Sequence, residues 1–409
     1  MPDKTTPSGL RSFDDFYARL QTARSADYQD RPSARARSRA AFEALKGDLL
    51  ELYDGVTACS SFRDAGGQIF DCVTMESQPA LRGRKAAAPP DVSEGEEDPL
   101  SLEPRPLRES RRDDHGNRMW CPPGCVPIRR LSLDELMRVE DPPRPGRKDP
   151  GHGRCSPADG EAAVSPGAPR LGHRYAHASQ EAPNKGASAH LNVWAPSMEV
   201  GTFSASQIWV SAPSDRGLQT VEAGWHVYPG KYKHALPVLF TYWTADGYRN
   251  TGAYNYQGFV HYGASRPLGM AIDSVSTADG PQRELRVILK LADGAWWLYI
   301  NGTAPTNAIG YFPTSLFDGG PLTEAAATVD FGGETSGAGP LPPMGSGAFA
   351  AAGFGQAAFQ RSIRFYNRDG EPRPASLKPR QDWPSSYSVD VQRTAAWGEH
   401  IFFGGPGGS

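Results

Sequence analysis

Two glutamates stand out by the settings they occupy. Glu222 lies inside the run TVEAGWHVY (220–228), where Val221, Ala223, Trp225 and Val227 alternate with Glu222, His226 and Tyr228. A glutamate within such a strand faces either solvent or a polar cleft. Glu334 follows paired glycines in VDFGGET (329–335). Glycine permits close backbone approach there and exposes the next side chain in a groove. Each has a plain reading when taken singly: a solvent-facing sheet carboxylate and a turn-end carboxylate. If the two face one another across a cleft, they cannot comfortably both ionise. One can then take a proton from water while the other donates one to a leaving group.

The common alternatives are missing. The chain contains no G-x-S-x-G, no G-x-x-x-x-G-K-[ST] and no H-E-x-x-H. Residues 186–409 hold no cysteine, which excludes a thiol nucleophile there, and His190, His226, His234, His261 and His400 show no metal-ligand spacing. Of the five cysteines, Cys59 with Cys72 and Cys121 with Cys125 could form local disulfides, leaving Cys155 over. A zinc site fails on ligand count, because Cys121 and Cys125 have no second C-x-x-C partner. No metal and no cofactor are expected.

The elements that must hold these residues divide the chain in two. Residues 1–185 carry 28 of the 43 Lys and Arg, 29 of the 46 Asp and Glu and all five Cys; residues 186–409 carry eight of the nine Trp. The formal net charge of −3 leaves no basic field for nucleic acid. No run reaches the roughly 18 apolar residues of a membrane span, and Met1 to Thr22 lacks the apolar centre of a secretory signal. Apolar positions 42, 45, 49, 50 and 53 form a helical stripe in 35–53, and Ser132 with Glu135 reads as a capping box opening a helix over 133–139. Residues 83–116 and 140–170, rich in Pro, Gly, Ser, Ala and charge, read as linkers or disordered loops. After residue 186 the pattern is all β. Gln207–Val210, Thr220–Tyr228, Glu284–Leu291 and Ala358–Tyr366 alternate, and Asp293-Gly294 turns the third of these into AWWLYI. That spacing predicts a two-sheet sandwich or a barrel.

A series of segments runs in order along residues 59–409: DCVTMESQPALR, HGNRMWCPPGCVPIRR, HRYAHA, GASAHLNVWAP, FSASQIWV, VEAGWHVYP, LFTYWTADGY, TGAYNYQGFV, GAWWLYI, GYFPTSLF, FGGET, MGSGAF and WGEHIFFGGPG. In these the chain resembles the neprosin family of glutamic peptidases, a large group of plant proteins with bacterial relatives. The resemblance implies an antiparallel, concanavalin-like β-sandwich of two sheets with a cleft on a concave face. It implies catalysis by the glutamates of the EAGW and GGE motifs, here Glu222 and Glu334, with Glu334 as general base and Glu222 as acid or oxyanion stabiliser. It also implies acid activity, cleavage after proline, secretion, and a preceding region that shields the cleft until acid cleavage. Trp225, Tyr242 and Trp243 would line the cleft and stack on a substrate proline, and Gln207 would donate to the developing oxyanion. The expected division is an N-terminal helical segment (1–58), an activation region (59–185) and a catalytic sandwich (186–409), with processing within 173–185. The expected partners are a proline-containing peptide and the chain's own N-terminal region, with neither nucleic acid nor membrane. Plant members carry two cysteines around the segment that here reads TGAYNYQGFV; Ala253 replaces the first and the second is missing. The other class of function open to such a sandwich is a lectin-like binding module, since a fold does not set an activity, and a glycosidase could use the same two carboxylates.

Overall fold

The computed structural model of the protein describes residues 10–28, 38–81, 83–90, 92, 105–106, 112–138, 172–337 and 340–408. The helical stripe forms α2 (Arg39–Tyr53), which packs beside α1 (Phe13–Thr22). Ser12 and Ser38 cap these helices by accepting the amides of Asp15 and Ala41 at 3.1 Å. Both bury their aromatic faces against Leu133 and Met137 of α3 (Leu133–Arg138). Half of the expected capping box of α3 forms: the Ser132 hydroxyl accepts from the Glu135 amide at 3.2 Å, while the Glu135 carboxylate pairs with Arg129 instead.

Beside the helices, β1 (Ala58–Arg63), β2 (Ile69–Thr74) and β4 (Cys125–Arg129) make a three-stranded antiparallel sheet, while the short β3 (Arg105–Pro106) joins a larger sheet. The disulfide joins Cys72 to Cys121, not either of the local pairs the spacing suggested. The Pro122–Cys125 turn separates Cys121 from Cys125: the first stays outside the sheet, its amide bonded to the Ala264 carbonyl, and the second becomes the first residue of β4, opposite Thr74. Cys125 is left with its sulfur 2.7 Å from that of Cys59. Nor is 83–116 wholly a linker. The Ala87 amide donates to the Tyr311 hydroxyl at 2.9 Å, the Tyr299 hydroxyl donates to the Pro90 carbonyl at 3.2 Å, and Val92 is buried. The stretch 140–170 and Cys155 lie outside the described residues.

From Gly172 the chain is strands. They are β5 (Gly172–Asn184), β6 (Gly186–Asn192), β7 (Phe203–Ser214), β8 (Gly217–Val227), β9 (Val238–Thr244), β10 (Ala253–Tyr254), β11 (Val260–His261) and β12 (Arg283–Ala292). There follow β13 (Ala295–Ile300), β14 (Ala308–Pro313), β15 (Ala326–Gly337), β16 (Ala358–Tyr366), β17 (Pro372–Pro374), β18 (Lys378–Gln381), β19 (Ser388–Thr394) and β20 (Gly398–Gly404). One sheet has the order β10-β9-β8-β7-β15-β5-β18. The other runs β11-β14-β13-β12-β6-β16-β20-β19, with β17 and β3 paired to β16 and β12. The two pack as an antiparallel sandwich, with Ile208, Val210, Val221, Trp225 and Phe331 of the first against Leu191, Val287, Leu289, Trp296 and Phe403 of the second.

The sandwich therefore begins at Gly172, not at 186. Strand β5 is an inner strand, hydrogen-bonded to β15 on one side and β18 on the other, so His173–Lys185 is no open processing segment. Its core face is Ala176 and Ala178, whose small side chains give little apolar alternation to read. The N-terminal sheet docks on the sandwich between residues 232 and 271. Asp64 accepts the Ala271 amide at 2.7 Å, and Gln78 both accepts from the His261 amide (2.8 Å) and donates to the His261 carbonyl (2.9 Å).

Candidate active site

The outer face of the seven-stranded sheet carries the two glutamates. Glu222 of β8 stands opposite Tyr242 of β9 and Trp209 of β7, and Trp209 stands opposite Asp330 of β15, itself opposite Ser179 of β5. Four residues along, His226, Ala205, Glu334 and Tyr175 make a second such row. Directly opposed residues share a face, and so do residues an even number apart. Glu222 and Glu334 thus lie on one face, on the two strands that flank β7. Midway between their rows sits Gln207, opposite Gly224 on one side and Gly332 on the other.

Both carboxylates are fully buried and both are held by donors. The Tyr248 hydroxyl donates to Glu222 Oε1 at 2.7 Å and the Thr220 hydroxyl to the same oxygen at 3.0 Å. Glu334 Oε1 is met by His173 Nδ1 at 2.5 Å and by the Tyr175 hydroxyl at 3.4 Å, and its Oε2 accepts from Gln207 Nε2 at 2.6 Å. Burial, then the negative charge of Glu334 and Glu222, pushes the Tyr175 hydroxyl well above its ordinary value. Burial and Glu222 do the same to Tyr248. Both phenols therefore stay protonated and act as donors at any pH where a carboxylate dyad could work.

The paired glycines do two jobs. A side chain on Gly333 would point into the sandwich, 2.6 Å from Phe403 and 2.7 Å from the sulfur of Met344. Gly332 has φ +149°, and a Cβ there would meet the Ala176 carbonyl oxygen well inside contact distance, so the glycine lets β5 approach closely; beside it the Trp209 indole lies 6.4 and 6.0 Å from the rings of Tyr175 and His177.

Of the four residues expected to bind substrate, the fold brings two to this face. Gln207 is at its centre. Tyr242 lies beside Glu222 in a cluster with Tyr248, Tyr254 and Phe240. Trp225 and Trp243 do not line the cleft. Each is odd in register with respect to Glu222, points between the sheets, and is part of the sandwich core. Trp225 spends its indole N–H on the Asn192 carbonyl at 3.0 Å and Trp243 on the Gln257 carbonyl at 2.8 Å. The strand alternation that placed Trp225 opposite in phase to Glu222 already contained this result.

Sequence reasoning gave no role to His173, Tyr175, Trp209 or Tyr248. Alternation could have found Trp209, two residues from Gln207. Tyr248 has no such signal. It sits in a turn with φ +62°, held where the Asp246 carboxylate accepts the amides of Arg249, Asn250 and Thr251 at 2.9–3.2 Å. Among the described residues no group of three His, Cys, Asp or Glu side chains could hold a metal ion, and no helix is long and apolar enough to cross a membrane.

Two solved structures match the chain at low similarity. Scytalido-glutamic peptidase bound to a peptide-based transition-state analogue is 10% identical with a TM-score of 0.33, covering 57% of this chain and 98% of that one. SCP-B, a member of the Eqolisin family of peptidases in complex with the tripeptide Ala-Ile-His, is 9% identical with a TM-score of 0.32 over the same shares. The pattern of the Neprosin family matches residues 200–406, a stretch that begins just before β7 and includes both glutamates and Gln207. That stretch is just over half of the 409 residues, and the chain belongs to the neprosin family.

Proposed function

We propose that the protein is a glutamic peptidase that hydrolyses peptide bonds with Glu222 and Glu334. The observation that carries this reading is the placement of two fully buried carboxylates on one sheet face, either side of a strand whose glutamine donates to one of them. Gln207 and Tyr175 donate to Glu334 and a His173 ring nitrogen meets it, a setting suited to an ionised carboxylate; Glu334 takes a proton from water as the water oxygen attacks the scissile carbonyl. Glu222, protonated, gives its proton to the leaving amine as the C–N bond breaks. Gln207 Nε2, on the strand between the two glutamates, steadies the carbonyl oxygen as it gains charge. One carboxyl must carry a proton at the start, which confines activity to acid.

Specificity for proline rests on family resemblance and on the tyrosine side of the face, where Tyr242, Tyr248 and Tyr254 offer rings to a pyrrolidine. Trp225 and Trp243 have no part in it. The region before Gly172 is the activation segment in this reading. Its removal must occur upstream of Gly172, because His173 and Tyr175 both touch Glu334.

The test is to incubate the purified chain at about pH 3 and about pH 7 with a proline-containing quenched peptide, beside Glu222→Gln and Glu334→Gln. Mass spectrometry follows the chain itself. The expected result is acid-only cleavage after proline, lost in both variants, with shortening to a product that retains Gly172 onward. A folded, shortened protein that hydrolyses nothing at any pH overturns the reading and leaves a binding module.

A further inference from the structure

Next to the dyad, toward the β5–β18 edge, lies a second acidic group that the proposed reaction does not use. Asp330 is fully buried, in the same register row as Glu222 and four residues before Glu334 on the same face. His177 Nδ1 and the Ser179 hydroxyl both bond to its Oδ1, the first at 3.1 Å. Among the described residues its Oδ2 has no partner, and neither has the indole N–H of Trp209, the residue directly opposite on β7. Leaving a buried acceptor unpaired is costly, and more so for a charged one. Such groups are few in native folds, and a functional role or a bound species that completes them is among the reasons they persist. Two donors on one oxygen also hold the carboxyl in a single orientation, which is how a recognition group is preorganised.

The charged side chains around it leave that oxygen unsatisfied. His177 is committed to Oδ1. On β18, Lys378 is exposed opposite Ser179, and Arg380, opposite His177, pairs with Glu181 at 2.9 Å. The aromatic side of the face lies across Glu222, on β8 to β10, so the two ends of the face differ in chemistry: tyrosines at one, an acid with a spare oxygen at the other.

We propose that Asp330 and Trp209 form a subsite for a basic side chain of the substrate, a lysine or arginine, on the side of the scissile bond away from the tyrosines. Asp330 Oδ2 accepts from its ammonium or guanidinium group, and Trp209 Nε1–H donates to the main-chain carbonyl of the same residue. The inference rests on the peptidase reading above.

The experiment is a proline-containing peptide set in which each position flanking the scissile bond is varied among Lys, Arg, norleucine and Glu, given to the acid-treated wild-type chain and to Asp330→Asn. Wild type is expected to favour Lys or Arg over norleucine at one position by about ten- to a hundredfold in kcat/KM, the size of one charge-assisted bond. Asp330→Asn brings that ratio near one. Cleavage of the whole set without a basic preference overturns the subsite and leaves the peptidase reading standing. If wild type cleaves nothing, the peptidase reading falls, and calorimetric titration with the same peptides decides the subsite: equal affinity for the Lys and norleucine peptides overturns it. Because the wild-type profile is itself decisive, the outcome stands even if the variant misfolds.

Discussion

At the residue scale, the dyad depends on a side chain that no local pattern announces. Tyr248 reaches Glu222 only because Asp246 gathers three amides and the Thr251 hydroxyl into a tight loop. Partial burial works against the Asp246 carboxyl, but the Thr251 hydroxyl and the loop amides win and hold it below the usual carboxylate range. Tyr248→Phe removes one hydroxyl and keeps the ring among Tyr242 and its neighbours. As Glu222 gives up its proton the Tyr248 bond becomes one to a charged group, worth about 1.5–3 kcal/mol, so we expect kcat/KM on a proline peptide to fall by about ten- to a hundredfold with little loss of stability. Steady-state kinetics beside a thermal melt checks both halves. An unchanged rate would mean that Glu222 needs no partner in that position.

At the scale of elements, the two faces of β15 have opposite tasks, and the glycine pair serves both. Gly333 faces the core, where a Cβ would meet Phe403 and Met344 well inside contact distance. Gly333→Val is therefore an overpacking change, expected to cost about 1–3 kcal/mol or more and to lower the urea midpoint. Since β15 also carries Glu334, the same variant should lose activity more steeply than stability. A variant as stable as wild type would show that Phe403 and Met344 can step aside. Helices α2 and α3 in the charged N-terminal region were legible because a 3.6-residue stripe marks the first and Ser132 caps the second, whereas α1 left no such reading. Strand β5 was not, because a core face of two alanines is a weak signal next to the polar His173, Tyr175, His177 and Ser179 on its other side.

For the whole molecule, the junction between the N-terminal sheet and the sandwich contains groups whose charge is set by docking. Burial holds His261, which bonds Gln78 through its backbone, down to about 3, against an ordinary value of 6.5. Burial, then the Arg129 charge, brings His234 down to about 4. The folded protein thus refuses protons that the unfolded chain accepts. Above 6.5 neither state binds the His261 proton and its contribution to stability is complete. As pH falls from 6.5 toward 3, that contribution is lost at roughly 1.4 kcal/mol per pH unit. Asp64 works the other way: burial raises it, so the folded state gains on acidification. His261→Gln should flatten the dependence of melting temperature on pH over this window and leave the Asp64 limb in place. An unaltered profile would mean that the junction does not sense acid through this residue.

What the sequence determined by itself was periodicity and chemistry. Alternation at 220–228 and 284–300 specified strands and their two faces, since a side-chain period of two cannot fit a helix. The EAGW and GGE motifs singled out Glu222 and Glu334. The tertiary structure decided which face became the interior. Trp225 and Trp243 look like cleft aromatics in one dimension, yet the second sheet covers their side of β8 and β9 with Trp296, Leu289 and Phe312. It also decided which distant residues meet the glutamates. His173 and Tyr175 lie about 160 positions from Glu334 in the chain and one strand away in space. Such neighbours are set by strand order, and strand order depends on how two whole sheets bury their apolar faces, which no local stretch of sequence encodes.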